Sequence, residues 1–225
     1  MSTTLLSRAT AELVGTALLV STVVGSGIMA TRLTDDVGLQ LLANSVATGA
    51  ALVALILALH PVSSAFNPVV TLVEAALGQL PAGEVLALIG SQMVGGVVGA
   101  MLANLMFGLP AISIATTDRV GADLWLAEVV ATLGLVMVVV GTARSGRIET
   151  LALGVGGYLT AAYWFTSSTS FANPAVTFAR TLSDTFTGID PESAPMFMLM
   201  QLVGGALAFG LVRVLHPAPR EVDHG

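Results

Sequence analysis

The sequence predicts an all-α membrane protein with six transmembrane helices and two re-entrant half-helices, arranged as an inverted repeat. Three observations support this fold class: an apolar composition, uncharged stretches of membrane-spanning length, and sequence markers that occur twice. Of the 225 residues, 55% are hydrophobic and only 10% are charged, and the mean hydropathy is +0.89. Soluble domains usually have about 25% charged residues, so we expect a lipid bilayer around most of this chain.

The residue counts exclude several classes of function. The chain has no cysteine, which rules out disulfide scaffolds, thiolate metal sites and cysteine catalysis. Eight basic residues face fourteen acids, a net charge of −6, so there is no basic face for nucleic acid. The predicted spans contain no histidine cluster and no paired catalytic carboxylates. We therefore expect no metal, no cofactor and no enzymatic activity.

Uncharged stretches predict six transmembrane helices, because a helix that crosses the hydrocarbon core needs about 20 mostly apolar residues. The first stretch is longer than the apolar core of a secretory signal peptide and lacks a convincing cleavage site, so we expect a retained span there. The predicted spans lie near residues 9–30, 39–59, 85–107, 122–142, 149–166 and 195–215.

Two of the uncharged stretches are longer than one helix requires. The surplus in each stretch contains an Asn-Pro pair, Asn67-Pro68 in the first and Asn173-Pro174 in the second. Asparagine is a favoured N-cap, and proline is favoured at the first helical position. The lipid core tolerates non-helical backbone only where protein or a water-filled cavity satisfies it. Each surplus is therefore predicted to be a re-entrant loop followed by a half-helix.

The arginines predict the orientation of the chain. Most of them fall in three places, the N-terminus, the loop between spans four and five, and the C-terminal tail. With six spans these places share one side of the membrane, which the positive-inside rule makes cytoplasmic. We expect a multi-pass protein of the inner or plasma membrane with both termini in the cytoplasm. The arginines concerned are Arg8, Arg144, Arg147, Arg213 and Arg220.

Three unlike markers occur twice, in the same order, which indicates internal duplication. The halves, 1–115 and 116–225, each have three spans, an odd number, so they must have opposite orientations in the membrane. Inverted repeats with interrupted segments at matching positions indicate a transport site near the midplane. The markers are Asn-Pro at 67 and 173, Ala-Glu at Glu12 and Glu128, and Gln-x-x-Gly-Gly beginning at Gln92 and Gln201, with offsets of 106, 116 and 109 residues.

Half-helices near residues 68–78 and 174–184 would bring two helix N-termini together in the membrane centre. Each N-terminus carries about half a positive charge from its aligned peptide dipoles, and the two asparagine amides add hydrogen-bond donors. A small polar solute can accept those bonds, whereas cations and protons meet a positive barrier. The two halves are thus predicted to form one channel domain with a passive pore for neutral solutes.

The sequence resembles the aquaporin, or major intrinsic protein, family over essentially its whole length. The resemblance is carried by the paired Asn-Pro boxes, the Ala-Glu starts of spans one and four, and the Gln-x-x-Gly-Gly of spans three and six. It implies a pore through every protomer and a homotetramer. It also implies that Glu12 and Glu128 brace the loop backbones. The boxes, which would line the pore, comprise Asn67, Pro68, Val69, Asn173, Pro174 and Ala175.

Two positions depart from the family pattern. Val69 stands where a small alanine normally packs, and Val176 stands where water channels and most glycerol facilitators have arginine. Arg180 lies four residues later on nearly the same helix face, where it either lines the outer vestibule or forms a structural ion pair. His60, at the inner end of span two, either lines the cytoplasmic vestibule or caps the helix.

Alignment with the family locates the remaining filter positions. The position in span five falls at Ala161 or Ala162, and the loop position falls at Ser170 or Phe171, depending on where a gap is placed. A filter of this kind is wider and less polar than a water-selective one, because it has neither the cation nor the imidazole. The expected filter residues are Thr48, Ala161, Ala162, Ser170, Phe171 and Val176.

The resemblance extends to bacterial aquaglyceroporins found beside arsenic-resistance genes, in which valine can replace the filter arginine. It implies a passive channel for glycerol-like polyols and water, and for neutral trivalent arsenic hydroxide and methylated arsenicals. One alternative is a water-selective aquaporin. Another is an ion-coupled carrier, which would need an acid or cation in its binding site and would show saturation and proton dependence of its flux. A zero-flux result would favour a structural junction protein of the same fold.

Overall fold

The computed structural model describes residues 3–216, and within them the chain forms eight α-helices and no strand. Arg220 and His224 lie outside the described residues. One short 3₁₀ turn, Ala82–Glu84, precedes the fourth helix. The helices are α1 (Leu5–Leu33), α2 (Val37–Leu59), α3 (Pro68–Ala76), α4 (Val85–Met106), α5 (Ala122–Ala143), α6 (Ile148–Phe165), α7 (Pro174–Arg180) and α8 (Ala194–Leu215).

Six long helices coincide with the six predicted spans. Five of them, all except α6, are long and apolar enough by length and composition to cross a membrane. Helix α6 has 18 residues, which at 1.5 Å per residue rise about 27 Å and nearly match the hydrocarbon thickness. Its mean hydropathy is reduced by Glu149 in the first turn and by Tyr158, Tyr163 and Trp164. Helix α1 begins earlier than predicted because the Thr4 hydroxyl accepts a hydrogen bond from the Ser7 N–H.

The two half-helices, α3 and α7, begin at the predicted prolines but end sooner than predicted. Helix α3 has nine residues and stops before Gly78, whose φ of +74° ends the right-handed helix. Helix α7 has seven residues. There the Thr181 and Leu182 N–H groups bond carbonyl groups three residues back, which tightens the last turn before the chain leaves the helix.

Close helix pairs hold the spans together. Helix α1 packs along α4, α5 along α8, and α2 along α6. A Cβ added at Gly95 would collide with the Leu13 carbonyl of α1, and one at Gly204 would collide with the Val129 carbonyl of α5. Glycine at these two positions lets the backbones approach closely, as is common in membrane helices. The architecture is therefore six spans enclosing two half-helices, as predicted.

Candidate functional site

The N-termini of α3 and α7 meet in the middle of the bundle through two reciprocal hydrogen bonds. The Asn67 amide donates to the Ala172 carbonyl at 2.8 Å, and the Asn173 amide donates to the Phe66 carbonyl at 2.7 Å. Each asparagine oxygen also caps its own half-helix. An amide nitrogen has two N–H groups, so each asparagine retains one donor. Both side chains line a central cavity.

A buried carboxylate accepts hydrogen bonds from the backbone of each re-entrant loop. Glu12, fully buried in α1, accepts hydrogen bonds from the Ala65 N–H at 2.9 Å and from the Phe66 N–H at 2.7 Å. It also accepts from Ser63 Oγ and from Gln92 Nε2. A buried charge is tolerated in a membrane helix when donors surround it in this way.

Glu128 of α5 makes the matching contacts in the second half. Its carboxylate accepts from the Phe171 and Ala172 N–H groups, both at 2.9 Å, and from Gln201 Nε2 at 2.6 Å. Phe66 and Ala172, the residues just before the two asparagines, have φ values of 49° and 47°. Left-handed backbone is strained for these residues, and the two carboxylates hold it in place.

One cavity of about 220 Å³ passes through the bundle between the half-helices. Its end near the N-terminus is called here the inner end, and the opposite end the outer end. Residues spaced by four line its walls, because such residues share one helix face. In α2 these are Thr48, Leu52, Ile56 and His60, and in α6 they are Leu151, Val155, Leu159 and Tyr163.

The structure brings four of the expected filter residues together at the outer end, namely Thr48, Ser170, Phe171 and Val176. The two alanines considered for span five do not line the cavity. Ala161 is exposed and Ala162 is buried away from the cavity. Tyr163 lines it instead, since it lies four residues after Leu159 on the cavity face, and its hydroxyl shares a hydrogen bond of 3.2 Å with Thr48 Oγ1. The spacing of apolar residues in α6 could have identified it.

Only part of each Asn-Pro box lines the cavity. Pro68, Pro174 and Ala175 are buried behind the asparagines. Val69 is also directed away from the cavity and packs against Gly205 of α8, where an added Cβ would collide with it. The next residue, Val70, lines the wall instead. The box valine therefore fills a helix contact and does not narrow the cavity.

Arg180 lies against Phe171, one of the expected filter residues. Its side chain is 2% exposed, lines the cavity, and places its guanidinium carbon 3.3 Å from the centroid of the Phe171 ring. Side chains tilt toward the N-terminus of their helix, so Arg180 reaches back from the last turn of α7 to the filter. Within residues 3–216 the only ion pair joins Arg8 to Glu84, so Arg180 forms no structural ion pair there.

A second arginine approaches the same aromatic ring from the loop between α4 and α5. The Arg119 guanidinium carbon lies 5.0 Å from the Phe171 centroid, and its Nε donates to the Gly188 carbonyl at 3.0 Å. Burial lowers the pKa of Arg119, and the nearby Glu128 carboxylate opposes that effect. Arg119 does not line the cavity.

The inner end of the cavity carries charged groups of both signs. His60 lines it and is also the C-cap residue of α2, and its Nδ1 shares a hydrogen bond of 3.0 Å with Ser64 Oγ. Glu74 of α3 and Arg8 of α1 line the same end. Arg8 pairs with Glu84. Sequence reasoning missed Glu74, although its position seven residues after Asn67 matches that of Arg180 after Asn173.

Comparison with known proteins establishes the family. A family model described as Major intrinsic protein matches residues 1–152 and 123–224. The chain belongs to the major intrinsic protein family. This major intrinsic protein is 48% identical over 213 residues to the aquaglyceroporin AqpS of Rhizobium meliloti strain 1021, covering 94% of this chain and 91% of that protein. It is 29% identical over 245 positions to the probable aquaporin AqpM of Archaeoglobus fulgidus, covering 96% and 99%.

A solved structure agrees with this assignment. The X-ray structure of the aquaglyceroporin from Plasmodium falciparum superposes with a TM-score of 0.74 and covers 95% of this chain and 98% of that one. At 15% identity the likeness establishes the fold alone. Together with the family match, it makes this major intrinsic protein a multi-pass membrane channel for small solutes and water.

Proposed function

We propose that this major intrinsic protein is a passive channel for small uncharged solutes. The solutes are glycerol-like polyols, water, and trivalent arsenic hydroxide and its methylated derivatives, all neutral and of similar size. The observation that carries the proposal is Val176, which lines the outer end of the cavity where an arginine would otherwise begin the constriction. An apolar side chain at this position leaves the pore wide enough for the hydrocarbon face of a polyol.

The polar groups of the filter replace the hydrogen bonds that a solute loses when it gives up its hydration water. The Ser170 hydroxyl is buried and has no partner within the described residues, so it is available to a solute that passes. The Thr48–Tyr163 pair lies at the same level, and the asparagine amides follow deeper in the pore. The cavity lining thus includes these polar groups together with the apolar Val176 and Phe171, which suits a molecule with one polar and one apolar face.

The first experiment is the substitution Val176→Arg in the full-length protein, reconstituted into liposomes. A second guanidinium at this level narrows the filter, so we expect glycerol and arsenite flux to fall more than water flux. Val176→Met is the matched control, because it adds length without charge and is expected to lower glycerol flux less. Stopped-flow light scattering measures all three fluxes. Unchanged glycerol flux in the arginine variant would refute the filter assignment.

A water-selective channel is the second candidate, and Tyr163 and Arg180 at the outer constriction favour it. The same liposomes distinguish the two candidates. Shrinkage in sorbitol reports water, and reswelling in glycerol or arsenite reports solute entry. Fast shrinkage without reswelling supports the water-selective channel, whereas rapid reswelling supports the solute channel. A carrier is not favoured, since Glu12 and Glu128 are occupied by backbone donors.

We further propose that the halves 1–115 and 116–225 form an inverted repeat with both termini in the cytoplasm, and that four copies assemble in the inner or plasma membrane. The matching Glu12 and Glu128 contacts support the repeat. The basic residues at the inner end, such as Arg8 and Arg144, support the orientation. Cross-linking in native membranes tests the tetramer, and labelling of terminal tags from either side tests the orientation.

A further inference from the structure

We propose that Arg180 is the specificity-determining cation of this pore, delivered to the filter from one helical turn beyond the position that Val176 occupies. The inference rests on the proposed channel function and deepens it. It assigns cation rejection and the size limit for polyols to one side chain. It also assigns a positioning role to Phe171, on which that side chain lies.

The geometry of the half-helices explains how Arg180 reaches the pore. In each half-helix the residues three and seven positions after the asparagine line the cavity. They are Val70 and Glu74 in α3, and Val176 and Arg180 in α7. The repeated pattern shows that the seventh position faces the cavity by helix geometry rather than by an accident of one rotamer. The tilt of helical side chains toward the N-terminus then directs Arg180 inward along the pore.

Most donors of the Arg180 guanidinium are unused. The group has five N–H donors and no acceptor. Its only hydrogen bond within the described part of the chain is from Nε to the Thr187 carbonyl. A buried cation without a counter-ion or full hydrogen bonding is costly, and such a cost is retained at functional positions. Arg180 lines the cavity, so the oxygen of a passing solute or water can accept from its remaining N–H groups.

The ring of Phe171 holds the guanidinium in place. The Arg180 guanidinium carbon lies over the ring, 3.3 Å from its centroid, and a guanidinium can stack on an aromatic face as an ammonium cannot. Phe197 packs edge-on against Phe171, with centroids 5.2 Å apart and planes at 76°, which fixes the platform. The Nε bond to Thr187 fixes the other end. The planar group therefore has one defined position in the constriction.

This position has two consequences for selection. A fixed positive charge in a site of low dielectric repels other cations strongly, so ions and protons are rejected before they reach the asparagines. The planar guanidinium also occupies cross-section beside Val176 and Thr48 and limits the width of a solute. Removing it is expected to admit larger polyols and to allow a cation leak.

The test uses full-length protein in liposomes and compares wild type with Arg180→Met and Arg180→Lys. We measure glycerol and erythritol permeability by stopped-flow light scattering, and sodium leak by a dilution potential. Arg180→Met is expected to raise the erythritol-to-glycerol permeability ratio by about tenfold, equivalent to lowering the barrier for the larger solute by about 1.4 kcal/mol, and to open a sodium leak. Arg180→Lys keeps the charge but not the flat stacking, so the ratio is expected to rise less and sodium to stay excluded.

Arg213→Met is the matched control, because Arg213 also lies over an aromatic ring, Phe209 at 5.6 Å, but does not line the cavity. It is expected to behave as wild type. If wild type passes no solute, the channel proposal fails and this inference fails with it. If wild type conducts and both Arg180 variants keep its ratio and its sodium exclusion, only the assignment to Arg180 is overturned. If the methionine variant does not assemble, the lysine variant alone decides between these outcomes.

Discussion

The two half-helices use the same backbone devices but present different charges. Each begins with an asparagine cap and a proline, and each follows a loop bonded to a buried carboxylate. Three residues after each asparagine a valine lines the cavity. Four residues further on, α3 presents Glu74 at the inner end and α7 presents Arg180 at the outer end. The two half-helices therefore share their backbone contacts, whereas the side chains that they present to the cavity one turn further on differ in charge.

The helices behind the half-helices also differ. Gly205 of α8 faces Val69 of α3, while Gly96 of α4 faces the Ala175 carbonyl and the Ala179 methyl of α7. The larger box residue in the first half is thus accommodated by a glycine opposite it. The nearest atom belongs to the Val69 side chain in one contact and to the Ala175 backbone in the other, so the two contacts should respond differently to substitution.

The largest effect is expected from removing the Glu12 and Glu128 carboxylates. Their removal tests whether the two re-entrant loops depend equally on them. Glu12→Ala and Glu128→Ala each leave two buried backbone N–H groups unbonded, at a cost of about 1–3 kcal/mol per group. Glu12→Ala should be the more damaging, because Ser63 loses its partner as well. Thermal inactivation of the purified protein and glycerol flux in liposomes measure both effects.

The glutamine variants at the same two positions serve as controls for the braces. Glutamine keeps one oxygen acceptor of the same reach, so each variant should retain part of the lost stability. Wild-type stability and flux in both alanine variants would show that the re-entrant loops hold their left-handed backbone without the carboxylates. Equal losses would show that the Ser63 contact adds nothing to the first brace.

An intermediate effect is expected at the glycine contacts. Gly205→Ala forces a methyl group against Val69 and should cost about 1–3 kcal/mol, the usual range for overpacking. The double variant with Val69→Ala should recover most of that loss, because the colliding side chain is gone. Gly96→Ala should have no such rescue, since its nearest neighbour is the Ala175 carbonyl oxygen at 3.0 Å.

Urea or thermal unfolding in detergent measures these differences through a double-mutant cycle. Gly90→Ala in α4 is the control, because no atom lies within 4 Å of its added Cβ, and alanine favours a helix by up to about 1 kcal/mol over glycine. If Gly205→Ala and the double variant are equally unstable, Val69 is not the residue that requires glycine there.

Much of the fold could be predicted from the sequence, because lipid imposes strong constraints on length and charge. Uncharged stretches located the spans, and the Asn-Pro pairs located the starts of both half-helices. The ends of the half-helices were less predictable, since they depend on local turns such as the one at Gly78. The site was predictable where a backbone motif defines it, as at Asn67 and Asn173.

The filter was harder to predict because it depends on side-chain direction. Tyr163 lines the cavity in place of Ala161 or Ala162, one or two residues away from the predicted position. The face of α6 that meets the cavity is revealed only by the four-residue spacing of its cavity-lining side chains. Counting turns outward from Val176 left Arg180 either in the outer vestibule or in a structural ion pair. Its side chain points back along the helix, so the tilt of helical side chains mattered more than the position of its Cα.

The smallest effect is expected from Glu74→Gln at the inner end, and it sharpens the contrast with Arg180. Glu74 is half-buried and shares its end of the cavity with Arg8 and His60, so neighbouring charges and water screen it. Charges screened in this way contribute up to about 1 kcal/mol, so we expect glycerol flux to change by less than about fivefold and sodium to remain excluded. Glu149→Gln, on the same side but outside the cavity, is the control. A sodium leak, or a rise in the erythritol-to-glycerol ratio as large as that expected for Arg180→Met, would show that the inner end also selects solutes. Selectivity would then not depend on the outer end alone.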